Sequence, residues 1–219
     1  MATPAHRLPA LLGALIIGLL AVTGCTAVAS SSHQGKELYL TFDDGPGTDT
    51  GHILDVLEEN DARAVFFAVG RNLDSHRDLA RRAISEGHIL ANHTWDHQTL
   101  TTLDPAGLDA ELDKATAELH QVGSTSPCVR PPSGATNEVV DTRFQEKGMR
   151  RVLWNVDTED WREPGASVIA RRLVDRATPG AVILMHDGGG DRSETVQALR
   201  EALPELAARG YTFSTVPGC

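Results

Sequence analysis

The stretch Tyr39-Leu40-Thr41-Phe42-Asp43-Asp44-Gly45-Pro46 runs an apolar segment straight into two adjacent carboxylates and a Gly-Pro turn. Leu38, Leu40 and Phe42 share one face of a period-two run and Tyr39 and Thr41 the other, which is the pattern of a buried strand that Gly45 and Pro46 stop. Successive side chains at a strand end diverge, so Asp43 and Asp44 need not share one environment, and two carboxylates in different environments can take different tasks, one on a metal and one on a proton. The same residues also suit a plain acidic turn, since Asp-Gly pairs are common punctuation.

Outward from this strand, apolar runs and amphipathic segments alternate. Asp49 or Thr50 is placed to cap a helix carrying Ile53, Leu54, Val56 and Leu57 that closes near Asn60, and residues 64–69 read as a strand. A helix is expected over about 74–86 with Gly87 as its stop, then a strand over 88–91. Asp104 and Pro105 open a helix showing Leu108, Leu112, Ala115, Leu119 and Val122, which Gly123 ends. The second half continues with strands near 128–130, 151–156, 181–185 and 211–216, and helices near 137–147, 167–177 and 193–208, the last with Pro204 expected to bend it. Seven strands alternating with six helices specify an α/β domain with a mainly parallel sheet, either a barrel or an open doubly wound sheet. No glycine-rich dinucleotide loop follows the first strand, so a Rossmann cofactor site has little support.

The chain of 219 residues is 41% apolar, enough for one domain with a real core. Arg7 followed by Leu11, Leu12, Leu15, Ile16, Ile17, Leu19 and Leu20 reads as a secretory signal over residues 1–24, too short for a comfortable membrane span. It ends in Val22-Thr23-Gly24-Cys25, which resembles the bacterial lipobox, so Cys25 is expected to be lipidated; a plain cleaved signal is the alternative and an uncleaved anchor a third. Residues 25–36, with Ser30, Ser31, Ser32 and Gly35, read as a tether, and the catalytic domain is expected over 37–219. The formal charge of −10 leaves no basic footprint for nucleic acid. In an exported chain Cys128 and Cys219 are candidates for a disulfide.

Ionisable residues recur where expected strands end: Asp43 and Asp44 after the first, His93 and His97 after the third, Arg130 in the fourth, residues 157–161 after the fifth and His186 after the sixth. In α/β barrels the loops at the C-terminal strand ends build the site, so five segments deliver such groups to one face. His93 and His97 lie four apart and point the same way if a helical turn joins them; with one carboxylate they make a two-histidine, one-acid site suited to zinc or to non-haem iron. A lone H-x-x-x-H equally suits two solvated histidines, and the aspartate pair gives it its force. The glycines at 188–190 lack a Walker lysine and read as a flexible rim.

Thr41-Phe42-Asp43-Asp44-Gly45-Pro46, His93-Thr94-Trp95-Asp96-His97, Arg130-Pro131-Pro132-Ser133-Gly134, Asp157-Thr158-Glu159-Asp160-Trp161 and Leu184-Met185-His186 resemble, in order, the five motifs of the polysaccharide deacetylases, the NodB-homology carbohydrate esterases of family four. The resemblance spans about residues 37–216 and implies a distorted (β/α) barrel of about seven parallel strands in a single domain. It implies that Asp44, His93 and His97 hold a divalent metal, usually zinc and in some members cobalt or nickel. Asp43 would then be the base, His186 the acid, Arg130 the orienter of Asp43 and Asp160 the partner of His186. Ser133 stands where the family usually has tyrosine, keeping a backbone N–H for the oxyanion but losing an aromatic wall; Trp161 and Leu184 would line the acetyl pocket, though ordinary core packing suits them equally. Asp157 is expected to be structural or to support the site from behind.

The implied activity is metal-dependent deacetylation of N-acetylglucosamine-containing polymer, peptidoglycan or chitin oligomers, by an exported monomer tethered at the membrane through Cys25 or secreted. Acetylxylan esterase is the alternative enzyme. A catalytically silent cell-wall sugar-binding lipoprotein and an iron oxygenase are the rivals from other classes.

Overall fold

The chain builds a curled parallel sheet around β1 (Lys36–Asp43), β2 (Ala64–Ala68), β3 (Ile89–Asn92), β4 (Cys128–Val129), β5 (Arg150–Arg151), β6 (Val156–Asp157), β7 (Ala181–His186) and β8 (Tyr211–Phe213). The computed structural model describes residues 1–3 and 35–219. Cys25, most of the expected signal segment and most of the expected tether therefore lie outside the described residues. β1 begins at Lys36, beside the expected boundary between tether and catalytic domain.

Hydrogen bonding orders the strands β5-β4-β3-β2-β1-β7-β6, with β8 paired to the first three residues of β1. Every pairing is parallel. The seven strands of this path curl into a half-barrel, the distorted barrel expected, and the helices α1 (Thr50–Glu59), α2 (Gly70–Ser75), α3 (Arg77–Ser85), α4 (Pro105–Val122), α5 (Glu138–Glu146), α6 (Ala166–Arg176) and α7 (Ser193–Ala208) complete it. Residues 35–219 fall within a single compact unit.

Period two along β1 decides which side is which. Leu38, Leu40 and Phe42 are fully buried in the main core with Ile53 and Leu57 of α1 and Leu199 and Leu203 of α7. Each such burial is worth roughly 1.5–3 kcal/mol. Tyr39, with Val65 and Phe67 of β2, belongs to a second, smaller cluster that also includes Ala91, Val152 and Cys128. The first turn of α4 is fixed as expected: Asp104 Oδ1 accepts from Gly107 N at 2.7 Å, Pro105 opens the helix, and Gly123 closes it at φ 99°. Asn137 caps α5 through Val140 N.

Several expectations are corrected. The helix expected over 74–86 is two helices broken at His76, and the first begins early because Gly70 N and Arg71 N donate to the carbonyls of Thr94 and Trp95. The strand expected over 151–156 splits into β5 and β6, which stand at opposite edges of the sheet because the barrel stays open between them. Among the described residues there are consequently eight strands and seven α-helices rather than seven and six. Asp49 makes no side-chain cap to α1; its Oδ2 accepts from Arg192 N. The last strand ends at Phe213 rather than running on to residue 216, while α7 keeps the expected bounds with Pro204 inside it. Cys128 and Cys219 form a disulfide with a Cα–Cα distance of 5.3 Å, tying the C-terminal residue to β4.

Candidate active site

The expected residues converge at the C-terminal ends of β1, β3, β4, β6 and β7. Asp43, Asp44, His93, His97, Ser133, Trp161, Leu184 and His186 line one cavity of about 420 Å³, together with Trp154 and Asp157. Arg130 and Asp160 stand behind it, both essentially without exposure.

Asp43 and Asp44 do occupy different environments. Asp43 Oδ1 accepts from Arg130 Nη1 at 2.7 Å. Arg130, the bulkiest fully buried side chain among the described residues, also donates from Nη1 to Thr41 Oγ1 at 2.9 Å and from Nε to Val152 O at 3.1 Å. Its guanidinium lies 4.1 Å from the Phe67 ring centroid, so a buried charge is stacked, bonded and paired. Asp44, one residue on, adopts φ 75° and turns away from the strand.

Asp44 Oδ1 stands 3.3 Å from His93 Nε2 and 3.2 Å from His97 Nε2. One donor atom from each of the three residues lies within 4.8 Å of the others. His93 Nδ1 is 2.7 Å from Arg130 O, and a carbonyl only accepts, so Nδ1 carries the proton and Nε2 turns a lone pair toward Asp44 in the neutral ring. Burial alone would raise the Asp44 pKa, but the imidazoles of His93 and His97 beside it hold this carboxyl well below the usual range. The Asp44 carboxylate raises His97 in turn. Asp44 Oδ1 is buried without a well-formed hydrogen bond. A carboxylate and two imidazoles converging in this way are the donor set of a divalent metal, and the residues fit such an ion.

His93 and His97 do not meet through the helical turn expected of their spacing. Thr94 and His97 both take left-handed φ, 68° and 66°, and the segment is an irregular loop. Ser133 at 56° and Glu159 at 53° share this conformation, so four loops that form or flank the site hold non-glycine residues in a sparsely populated region. The glycines at 188–190 form no loose rim: a Cβ on Gly189 would fall 2.7 Å from Asp44 Oδ2, and one on Gly188 would strike the Asp44 carbonyl.

His186 Nδ1 is 2.8 Å from Asp160 Oδ1, and the other Asp160 oxygen accepts from His186 N and Thr195 Oγ1. Burial opposes a charge on this ring, but the Asp160 bond and the nearby Asp43 and Asp44 outweigh it and raise the pKa. Asp157, expected behind the site, lines the cavity itself while its Oδ1 accepts from Glu159 N. Two contributors escaped the sequence reading. Trp154 lies in the segment taken as continuous strand, and its ring packs toward Gly134 and 5.4 Å from Arg130. Glu111 bonds the histidine loop, and its signal was a carboxylate within the apolar stripe Leu108, Leu112 and Ala115 of α4.

The profile of the polysaccharide deacetylase family matches residues 30–152. A chitooligosaccharide deacetylase of Rhizobium leguminosarum biovar trifolii is 38% identical over 198 residues, covering 83% of this chain and 91% of that protein. A peptidoglycan-N-acetylglucosamine deacetylase of Bacillus cereus is 36% identical, covering 83% and 86%. The crystal structure of the Bc1960 peptidoglycan N-acetylglucosamine deacetylase superposes with a TM-score of 0.80 at 33% identity, over 84% of this chain and 87% of that one. The five motifs, the half-barrel and these likenesses agree: the chain belongs to the polysaccharide deacetylase family of hydrolases.

Proposed function

We propose that this chain removes N-acetyl groups from N-acetylglucosamine-containing polysaccharide, peptidoglycan or chitin-type oligomers, with a divalent ion held by Asp44, His93 and His97. The observation that carries this reading is that Asp43 and His186, register partners on β1 and β7, open on the same cavity as that trio. Zinc fits the nitrogen-rich donor set, and cobalt or nickel suits the same ligands. Bound there, the ion supplies Lewis acidity, lowering the pKa of a water toward ~7 and drawing charge from the acetyl carbonyl oxygen.

Asp43 takes the proton from the attacking water. Its Oδ1 is fixed by Arg130, which orients the carboxylate and leaves Oδ2 to accept. The backbone N–H of Ser133 supports the developing oxyanion. His186 delivers its Nε2 proton to the leaving amine, because Asp160 holds Nδ1 and raises the ring's pKa. Water and amide thus yield acetate and a free amine. Trp161, Leu184 and Trp154 supply the apolar walls for the acetyl methyl.

The same reading has residues 1–24 as an export signal, Cys25 as a lipid anchor and a monomer facing the cell wall. The Cys128–Cys219 disulfide supports export, since such bonds persist in oxidising compartments. Acetate release from N-acetylglucosamine oligomers, peptidoglycan and acetylxylan, measured on protein stripped by a chelator and then given zinc, tests the activity. Zinc-restored release from the first two is expected. Release from xylan alone would overturn the amide substrate, and silence on all three from folded, zinc-loaded protein would favour a sugar-binding role.

A further inference from the structure

Every backbone N–H from Thr94 to His97 is taken by a side chain. Thr94 N donates to Asn92 Oδ1 at 2.8 Å, Trp95 N and Asp96 N both donate to Glu111 Oε2 at 3.0 and 3.1 Å, and His97 N donates to Thr94 Oγ1 at 3.1 Å. The carbonyls of Thr94 and Trp95 are bonded by Gly70 N and Arg71 N at the start of α2. These bonds hold Thr94 and His97 at positive φ, a conformation that persists only where the surroundings over-determine it. Asn92 is itself held, donating from Nδ2 to Leu112 O and Thr116 Oγ1 on α4.

Glu111 is the ionisable side chain that reaches this loop from α4, with the Asp96 carboxyl of the loop beside it. It is 5% exposed on the inner stripe of α4, where a carboxylate is costly unless it is bonded. Its second oxygen lies 3.4 Å from Gln98 Nε2, just beyond His97. A carboxylate accepting two successive peptide N–H groups fixes the orientation of the peptides between His93 and His97, and so the separation of the two imidazoles.

We infer that Glu111 is a positioning residue for the metal ligands: its carboxylate holds the loop in the strained form that aims both histidines at Asp44. This rests on the metal reading above. The effect is on affinity for the ion, and Glu111 touches neither ion nor substrate.

The test is zinc affinity, read by competition with a chromophoric chelator, beside thermal melting of the metal-free protein. Glu111→Ala is expected to weaken zinc binding roughly 10- to 100-fold, the range for lost supporting contacts to ligands. Glu111→Gln keeps an acceptor oxygen for the two N–H groups and is expected to restore most of the affinity. Should Glu111→Ala fail to fold, Glu111→Asp decides: one methylene shorter, it keeps the charge but not the reach, and a folded protein with weakened zinc binding supports the role. Wild-type affinity in a folded Ala or Asp variant overturns it, as does an equal loss in the Gln variant. Failure of the unaltered protein to bind zinc would instead remove the metal reading on which the role depends.

Discussion

Asp160 holds His186 twice, through Oδ1 to the ring Nδ1 and through Oδ2 to the backbone N, both at 2.8 Å, although 26 residues separate them. The two contacts fix the ring's position and its tautomer together. Because Thr195 Oγ1 also donates to Asp160, all three donors compete for one buried carboxylate that has no exposure to lose. The His186 ring, the proposed acid, is therefore held in place by Asp160 before any substrate arrives.

The pH profile follows from that pair. His186 must be protonated to act as an acid, and its folded pKa is raised, so activity persists below that pKa and falls as pH rises through it. Asp160→Asn removes the charge that raises it. The basic limb of kcat against pH is expected to move toward acid, with a loss of roughly 10²-fold or more at neutral pH. An unmoved limb would mean that another group sets it.

Asp43→Asn is expected to separate binding from chemistry. Hydrolysis falls by roughly 10²- to 10⁴-fold, the range for a lost general base. Zinc affinity stays within a few-fold, since Asp43 Oδ2 is 3.7 Å from His93 Nε2 and outside the converging trio. Chelator competition and acetate release on one preparation check both halves.

Removing metal should cost stability as well as activity. With zinc at 100 times its dissociation constant, linkage adds about 2.7 kcal/mol to the folded state. Melting temperature is expected to rise with zinc for the unaltered chain and to respond weakly for His93→Ala, which loses one of three ligands. Equal responses would place the ion elsewhere.

The disulfide closes a segment of 91 residues containing β5 to β8. Loop-closure entropy for that length is worth about 4.6 kcal/mol. Cys219→Ser should lower the urea midpoint by a corresponding amount while leaving activity at 25 °C nearly intact, because Cys219 packs with the cluster of Cys128, Val152 and Val216 and does not line the cavity. Activity lost in parallel with the bond would show that β4 and Arg130 need the tie.

His88 gives an acid limit to stability. Its buried Nδ1 accepts from Ala64 N at 3.1 Å, and burial followed by the charges of Arg63 and Arg82 lowers its pKa to about 4. The unfolded chain, with His near 6.5, binds more protons between these values, so stability falls as pH drops from about 6.5 to about 4. His88→Gln should show a smaller loss between pH 7 and pH 5 in urea denaturation.

Local pattern determined a good part of this molecule. The period-two run ending at Asp43, the Asp104-Pro105 and Asn137 helix starts and the stop at Gly123 are written in neighbouring residues, because caps, turns and alternating faces act over a few positions. The order of the motifs brought Asp43, Asp44, His93, His97, Arg130, Asp160 and His186 to one end of the sheet, since parallel strands put every C-terminus on the same side. Tertiary structure decided what no short window contains. The break at His76, the split of residues 151–156 into two edge strands, the place of Trp154 in the cavity wall and the grip of Glu111 on the histidine loop all depend on partners far along the chain. A strained loop is stable only when such distant groups over-determine it, and α2 exists where it does because its first N–H groups bind that loop.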